Sequence, residues 1–240
     1  EEGMTRLMRD GDIFTIDGFT YSGSDVTIRD VEVTPQSPRN RALDIGCSVG
    51  RSAFELSKIY KEVDALDFSA RFIQIASQMQ QLGRLRYERK EEGELSTFQE
   101  RTLKQMGINQ LNCKINFLQQ DACNMKSRFK DYDLVVAVNL IDRLSQPDRF
   151  LIDIGKRINI GGYLVIASPY TWLEEFTKKE KWLGGFKQDG EPVKTIDGLH
   201  QYLDKNFTLT ENPVKLPFVI RETMNKYQHS LSEVTIWKKK

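Results

Sequence analysis

Arg41-Ala42-Leu43-Asp44-Ile45-Gly46-Cys47-Ser48-Val49-Gly50-Arg51 decides the fold. A short apolar run ends in an acid and a loop with glycines four places apart. Residues 52–60 then read as a helix with Ala53, Phe54, Leu56 and Ile59 on one face. This is the strand–loop–helix opening of a nucleotide-binding α/β domain, whose glycines let backbone N–H groups approach a ligand at a helix N-terminus.

The chain beyond continues the alternation. Residues 62–67 read as a second strand ending in Asp67-Phe68-Ser69. Ser69 is a helix N-cap for a run with Phe72, Ile75, Ala76, Met79 and Leu82 at three-to-four spacing, closed by Gly83. Residues 84–112 then hold a charged segment and an amphipathic run (Leu95, Phe98, Leu103, Met106), an expected helical insertion. Strands are expected at 115–118, 133–139 and 163–167, with a helix opening on Pro147 and running through Ile158. Val135, Val136, Ala137 and Val138 are an unbroken run suited to a parallel sheet covered on both faces. Thr195 is the expected cap of a short helix. Two strands, 207–215 and 231–237, end the chain, joined by about a dozen residues. The pattern predicts a doubly wound sheet with a terminal antiparallel hairpin over residues 41–240. Residues 1–40 read as an extension able to serve as a lid.

Lys+Arg 35 against Asp+Glu 34 gives a net charge of +1, so no global field draws the chain to nucleic acid or a membrane. No apolar run approaches the ~18 residues that span a bilayer. Cys47, Cys113 and Cys123 lack CxxC spacing, which predicts reduced thiols in a cytoplasmic protein. Two histidines and three scattered cysteines predict no metal site. An opening on Glu1 rather than Met suggests an excised domain or a processed start.

The acids choose the ligand. A dinucleotide fingerprint needs three glycines, whereas Gly46 and Gly50 enclose Cys47, Ser48 and Val49. Asp44, two places before Gly46, suits an ammonium better than a pyrophosphate. Asp67 stands 21 residues after Gly46 at a strand end, where it can accept both ribose hydroxyls. Asp121 follows the third strand, where it can accept an adenine amine while the Ala122 N–H serves the ring. Any one of these acids could be a solvated strand end or a helix cap. Three trailing successive strands point to S-adenosyl-L-methionine and to the α/β fold of the class I S-adenosylmethionine-dependent methyltransferases. Gly46, Cys47 (a small filler residue), Gly50, Arg51, Phe68, Ser69 and Asn139 complete the expected cofactor set.

Further segments carry a resemblance: Asp67-Phe68-Ser69-Ala70-Arg71-Phe72-Ile73, Glu91-Glu92-Gly93-Glu94-Leu95, Asp121-Ala122-Cys123-Asn124, Asn139-Leu140-Ile141-Asp142-Arg143-Leu144, Ser168-Pro169-Tyr170-Thr171-Trp172-Leu173-Glu174-Glu175, Trp182-Leu183-Gly184-Gly185, Pro217-Phe218-Val219-Ile220-Arg221-Glu222-Thr223 and Lys226-Tyr227-Gln228-His229. With the first motif, they resemble the C-terminal mercaptohistidine methyltransferase domain of the ovothiol biosynthesis enzyme. That domain is usually fused behind an iron-dependent sulfoxide synthase. The resemblance spans roughly residues 41–240 and implies methylation of the imidazole nitrogen beside the side chain of mercaptohistidine, giving ovothiol.

Such an acceptor needs a cation for its carboxylate, an acid for its ammonium, a flat wall for its ring and a group to hold a ring proton. Three loops trailing strands contain these. Arg221 can pair with the carboxylate; Asp142, Glu174 or Glu175 can hold the ammonium; Tyr170, Trp172 and Tyr227 can wall the ring. Asn139 heads the first loop and faces both ligands. Tyr170, Tyr227 and His229 are the candidate proton-handling groups. Each has a plainer reading: His229 as a structural hydrogen-bonder, Ser168-Pro169-Tyr170 as a tight turn, Arg221 and Glu222 as a surface pair. Arg86, Tyr87 and the acidic 91–94 segment are expected to help close the acceptor pocket. Competing readings are a methyltransferase for another small molecule, a protein or RNA, a non-catalytic S-adenosylmethionine-binding domain, and an NAD enzyme.

Overall fold

The computed structural model describes residues 13–16, 19–22, 39–108, 111 and 113–240. Strands β1 (Ile13–Ile16) and β2 (Phe19–Ser22) pair antiparallel. Apart from this hairpin and residues 39–40, the extension expected to act as a lid lies outside the described residues.

The apolar run before the glycine loop is β3 (Arg41–Ile45), buried from Ala42 onward. Helix α1 (Arg51–Leu56) stops earlier than its apolar face suggests, because the Ser57 hydroxyl donates to the Phe54 carbonyl (2.7 Å) and competes with the next helical bond. β4 (Glu62–Asp67) leads into α2 (Ala70–Leu82), where the Ser69 hydroxyl accepts from the Phe72 N–H and Gly83 closes the helix at a φ of 67°.

The insertion corrects the sequence reading. It is a hairpin, β5 (Arg84–Glu92) and β6 (Leu95–Thr102), rather than a helical cap. Residues 84–92 alternate strictly between exposed and half-buried, and this period of two prevails over the helix-like spacing of Leu95, Phe98, Leu103 and Met106. Leu95 and Phe98 stay solvent-exposed as a result.

β7 (Lys114–Gln119), β8 (Tyr132–Val138), α3 (Pro147–Ile154) and β9 (Ile158–Ser168) follow as the alternation requires. Ile158 belongs to β9 and not to α3. Arg157 intervenes, 5% exposed, and its guanidinium donates to the carbonyls of Met125, Lys126 and Phe129 and to Asp153. A small hairpin, β10 (Phe186–Gln188) and β11 (Glu191–Val193), precedes α4 (Thr195–Leu203). Thr195 is the first residue of this helix and not its cap; its hydroxyl accepts from the Trp172 indole instead (2.9 Å).

The chain ends with β12 (Phe207–Leu209), β13 (Val214–Arg221) and β14 (Tyr227–Lys239). The main sheet runs β12-β14-β9-β8-β3-β4-β7, with β13 also on β14. β9, β8, β3, β4 and β7 are parallel, and β14 inserts antiparallel beside β9. Thus the strand expected over 207–215 divides into β12 and the start of β13, the last strand is longer than expected, and the β13–β14 connection is five residues, 222–226, rather than a dozen. Two apolar cores cover the two faces of the sheet. Strand order reverses at β3 and β8, which opens a crevice at their C-terminal ends.

Two hairpins meet beyond that edge. The Met224 N–H, at the tip between β13 and β14, donates to the Lys90 carbonyl of β5 (3.0 Å). Lower down, Gly184 lets two segments touch: a Cβ there would stand 2.2 Å from the Lys194 carbonyl carbon. Gly184→Ala is therefore expected to lower stability by about 3 kcal/mol, read from the denaturant midpoint. An unchanged midpoint would show that the backbone moves apart freely.

Candidate active site

The glycine loop folds back over the end of β4. The Gly46 and Cys47 N–H groups both donate to the Leu66 carbonyl (2.8 and 3.0 Å), and the Gly50 N–H donates to Cys47 (2.8 Å). The Ser48 N–H donates to Asp67 Oδ2 (2.9 Å), while Asp67 Oδ1 accepts from the Ser69 N–H (2.8 Å). These four of the five loop amides are therefore committed within the protein. The loop supplies shape and a fixed carboxylate, not a row of donors for a phosphate.

Asp67 and Asp121 line one cavity of about 530 Å³, together with Gly46, Phe68 and Ala122. Asp121 Oδ1 caps a short turn by accepting from the Cys123 N–H (2.8 Å). Phe68 is 75% exposed on the cavity rim. Leu140, Arg143, Glu175 and Phe176 complete the opposite side.

Asp44 lies beneath this loop, 1% exposed, with its Oδ2 lacking any hydrogen-bond partner. Burial, aided by the nearby Asp67 charge and opposed by the Ala53 N–H, pushes its carboxyl up to about 7. A cation is what this group lacks. The three acids thus gather at one edge, Asp67 and Asp121 in the cavity wall and Asp44 behind it. Buried Cys47 has its thiol pushed up, first by burial and then by Asp44, so it is no thiolate at neutral pH. Arg51 is tied to Glu55 (3.0 Å) and Ser69 serves as the α2 cap. Asn139 sits at a φ of 52°, its N–H on the Ala167 carbonyl and its Oδ1 accepting from Ser232 (2.6 Å).

The loop after β9 divides this cavity from a second one of about 490 Å³. Tyr170, Trp172, Phe186, Lys187, Lys194 and Glu233 are among its lining residues. Asp142 and Arg143 build the partition. Asp142 Oδ2 accepts from the Thr171 N–H and hydroxyl (both 2.9 Å), and the Arg143 guanidinium donates to the Thr171 carbonyl and hydroxyl (both 2.8 Å). Trp172 is held by Thr195 and stacks on Trp182 (centroids 6.3 Å apart). Tyr170 takes a φ of 54°, and its buried hydroxyl faces the Glu233 carboxylate. Burial, then the neighbouring Glu233 charge, pushes this phenol up, so it can donate a proton-bearing hydrogen bond but not act as a base.

Several expected acceptor residues lie elsewhere. Arg221 spends its guanidinium on the Thr223 and Met224 carbonyls and stacks over Tyr227, organising the turn at the hairpin tip. His229 is exposed on β14 opposite Val219. The expected loop over these residues is paired strand, which carries them past the sheet edge and out of both cavities. Glu174 is exposed, Glu175 faces the first cavity, and Asp142 commits its Oδ2 to the partition while its buried Oδ1 has no hydrogen-bond partner. Sequence reasoning missed Arg143 and Glu233. Arg143 stood inside a quoted motif, and strand alternation around Glu233 was its only signal.

A family model described as a methyltransferase domain matches residues 43–164. An S-adenosylmethionine-dependent methyltransferase structure from Methanosarcina mazei has a TM-score of 0.54 and 17% identity, covering 87% of this chain and 99% of that one. A structure reported for conversion of a disulfide bond into a thioacetal group during echinomycin biosynthesis has a TM-score of 0.53, with 13% identity over 83% and 76% of the two chains. The YcgJ protein of Bacillus subtilis has a TM-score of 0.51, with 10% identity over 85% and 94%. These likenesses are of fold. No curated protein sequence matches the chain. Among the described residues no helix is long and apolar enough to cross a membrane.

Proposed function

The chain belongs to the methyltransferase domain family, with the fold of S-adenosylmethionine-dependent methyltransferases, and from that premise we propose that it methylates the imidazole nitrogen beside the side chain of mercaptohistidine, giving ovothiol. The activity class, S-adenosylmethionine-dependent methyl transfer, follows from the family. The acceptor is our own reading, supported by the motif resemblance and by an aromatic, charged cavity next to the first one. The same resemblance supports a place beside or fused to an iron-dependent sulfoxide synthase.

One observation carries the cofactor side: four of the five glycine-loop amides are satisfied internally while carboxylates ring the cavity. That is a site for a cation bearing ribose hydroxyls, not for a pyrophosphate. Asp67, pinned by two loop N–H groups, holds its oxygens for the hydroxyls. Asp121 and the Ala122 N–H stand ready for the adenine edge, with exposed Phe68 beside it. Asp44 is the counter-charge for the methionine ammonium. S-adenosylmethionine bound there supplies a methyl group on a sulfonium, already activated for displacement.

The protein's own part is then alignment and exclusion of water. Trp172, locked by Thr195 and Trp182, offers a rigid flat wall. Tyr170 holds the acceptor as a hydrogen-bond donor. Incubation with mercaptohistidine and S-adenosylmethionine is expected to yield a product heavier by one methylene, methylated on the ring nitrogen next to the side chain. Absence of that product, with methylation of a different small molecule, would overturn the acceptor assignment.

A further inference from the structure

We infer that the second cavity grips the amino-acid end of the acceptor, with Glu233 taking its α-ammonium group. The inference rests on the methyl-acceptor reading above and names the chemistry of its anchor.

Glu233 sits on β14 directly across from Ser168, the last residue of β9, and two residues before Tyr170. Antiparallel partners project to the same side of a sheet, so this carboxylate is placed by β-register rather than by a flexible loop. Among the described residues it has no ion-pair partner. It faces the buried Tyr170 hydroxyl, whose single donor leaves most of the carboxylate's lone pairs open to a cation. A carboxylate oriented by a phenol in this way can satisfy an ammonium with its remaining lone pairs. Lys187 and Lys194, both exposed, line the same cavity as positive charge for an acceptor carboxylate. The cavity thus presents one negative and two positive groups around aromatic walls, the complement of a zwitterion with a flat side chain.

Its construction is rigid. Tyr170 is held in a left-handed conformation by its N–H bond to the Ser168 hydroxyl (3.0 Å). The Gly185 N–H donates to the Val193 carbonyl (2.7 Å) and closes the base of the β10–β11 hairpin that roofs the cavity. The 168–176 loop walls both cavities, Tyr170 and Trp172 on one and Glu175 and Phe176 on the other. An acceptor anchored at Glu233 therefore has its ring at the partition, toward the methyl donor.

The test uses Glu233→Gln, nearly isosteric, with unfolding midpoint and S-adenosylhomocysteine affinity as controls. Calorimetry on protein saturated with S-adenosylhomocysteine compares mercaptohistidine with its analogue lacking the α-amino group. Wild type is expected to prefer mercaptohistidine by about tenfold or more, and the variant to lose that preference, with both controls unchanged. Equal preference in variant and wild type, or no preference in wild type, overturns the inference. If the Glu233-dependent preference is present but no methyl is transferred, the anchor stands and the proposed reaction falls. Methylation with the same KM in variant and wild type has the opposite meaning: the reaction stands and the anchor falls.

Discussion

Asp44→Asn is expected to make the cofactor-free protein more stable at about pH 8, by about 2–4 kcal/mol, while weakening S-adenosylhomocysteine binding at least about tenfold. The carboxyl rises from an ordinary 3.8 to about 7 because it is buried, with Asp67 adding like charge. The sign follows from proton binding. Below about pH 4 the group is protonated folded or unfolded, and burial of its charge costs nothing. Between about pH 4 and 7 the folded state keeps a proton that the unfolded state has lost, so stability falls as pH rises. Above about pH 7 the full cost is present. Removing the charge relieves it, and urea titrations of both proteins across this range read the difference. The residual amide still lacks a partner, which holds the gain toward the lower figure.

Cofactor binding should show the reverse dependence. An ammonium beside Asp44 favours the carboxylate, so binding expels a proton below about pH 7 and tightens as pH rises to that point. Calorimetry in buffers of different ionisation enthalpy counts that proton directly. Binding by Asp44→Asn as tight as wild type, with no proton released from wild type, would remove Asp44 from the methionine end of the site.

Gly50→Ala is expected to abolish measurable cofactor binding and to lower stability by about 2–5 kcal/mol. Two independent effects add. Gly50 has a φ of 92°, where any Cβ is strained, and a Cβ there would lie 2.8 Å from the Phe117 ring and 3.2 Å from Ala76. Phe117 is itself packed on Phe54 (centroids 5.5 Å), so it cannot swing away without disturbing α1. The Gly50 N–H bond to Cys47 holds the loop that positions Ser48 on Asp67. Moving it releases Asp67, the carboxylate proposed to hold the ribose. A denaturant melt and a calorimetric titration check both parts; a variant that binds normally would show the loop to be softer than its packing implies.

What the sequence by itself determined was the parallel core and the gathering of Asp44, Asp67 and Asp121 at one sheet edge. The centres of β3 (Ala42, Leu43, Ile45) and β8 (Leu134, Val135, Val136, Ala137) are apolar and buried on both faces, which leaves such segments a single arrangement, whereas β4 and β7 carry Asp64 and Asn116 between their apolar residues. Their trailing acids were legible because a strand end fixes where its last residue goes. Only the tertiary structure decided which residues line the second cavity. The 84–102 segment carries both a two-residue and a three-to-four-residue apolar rhythm, and long-range pairing chose the former. Arg221, Tyr227 and His229 went to a hairpin tip because β13 and β14 pair past the end of β9, a register that local sequence does not encode. Glu233 came to Tyr170 by that same register. A strand's contacts depend on which neighbour it finds, and that choice is made by the whole sheet.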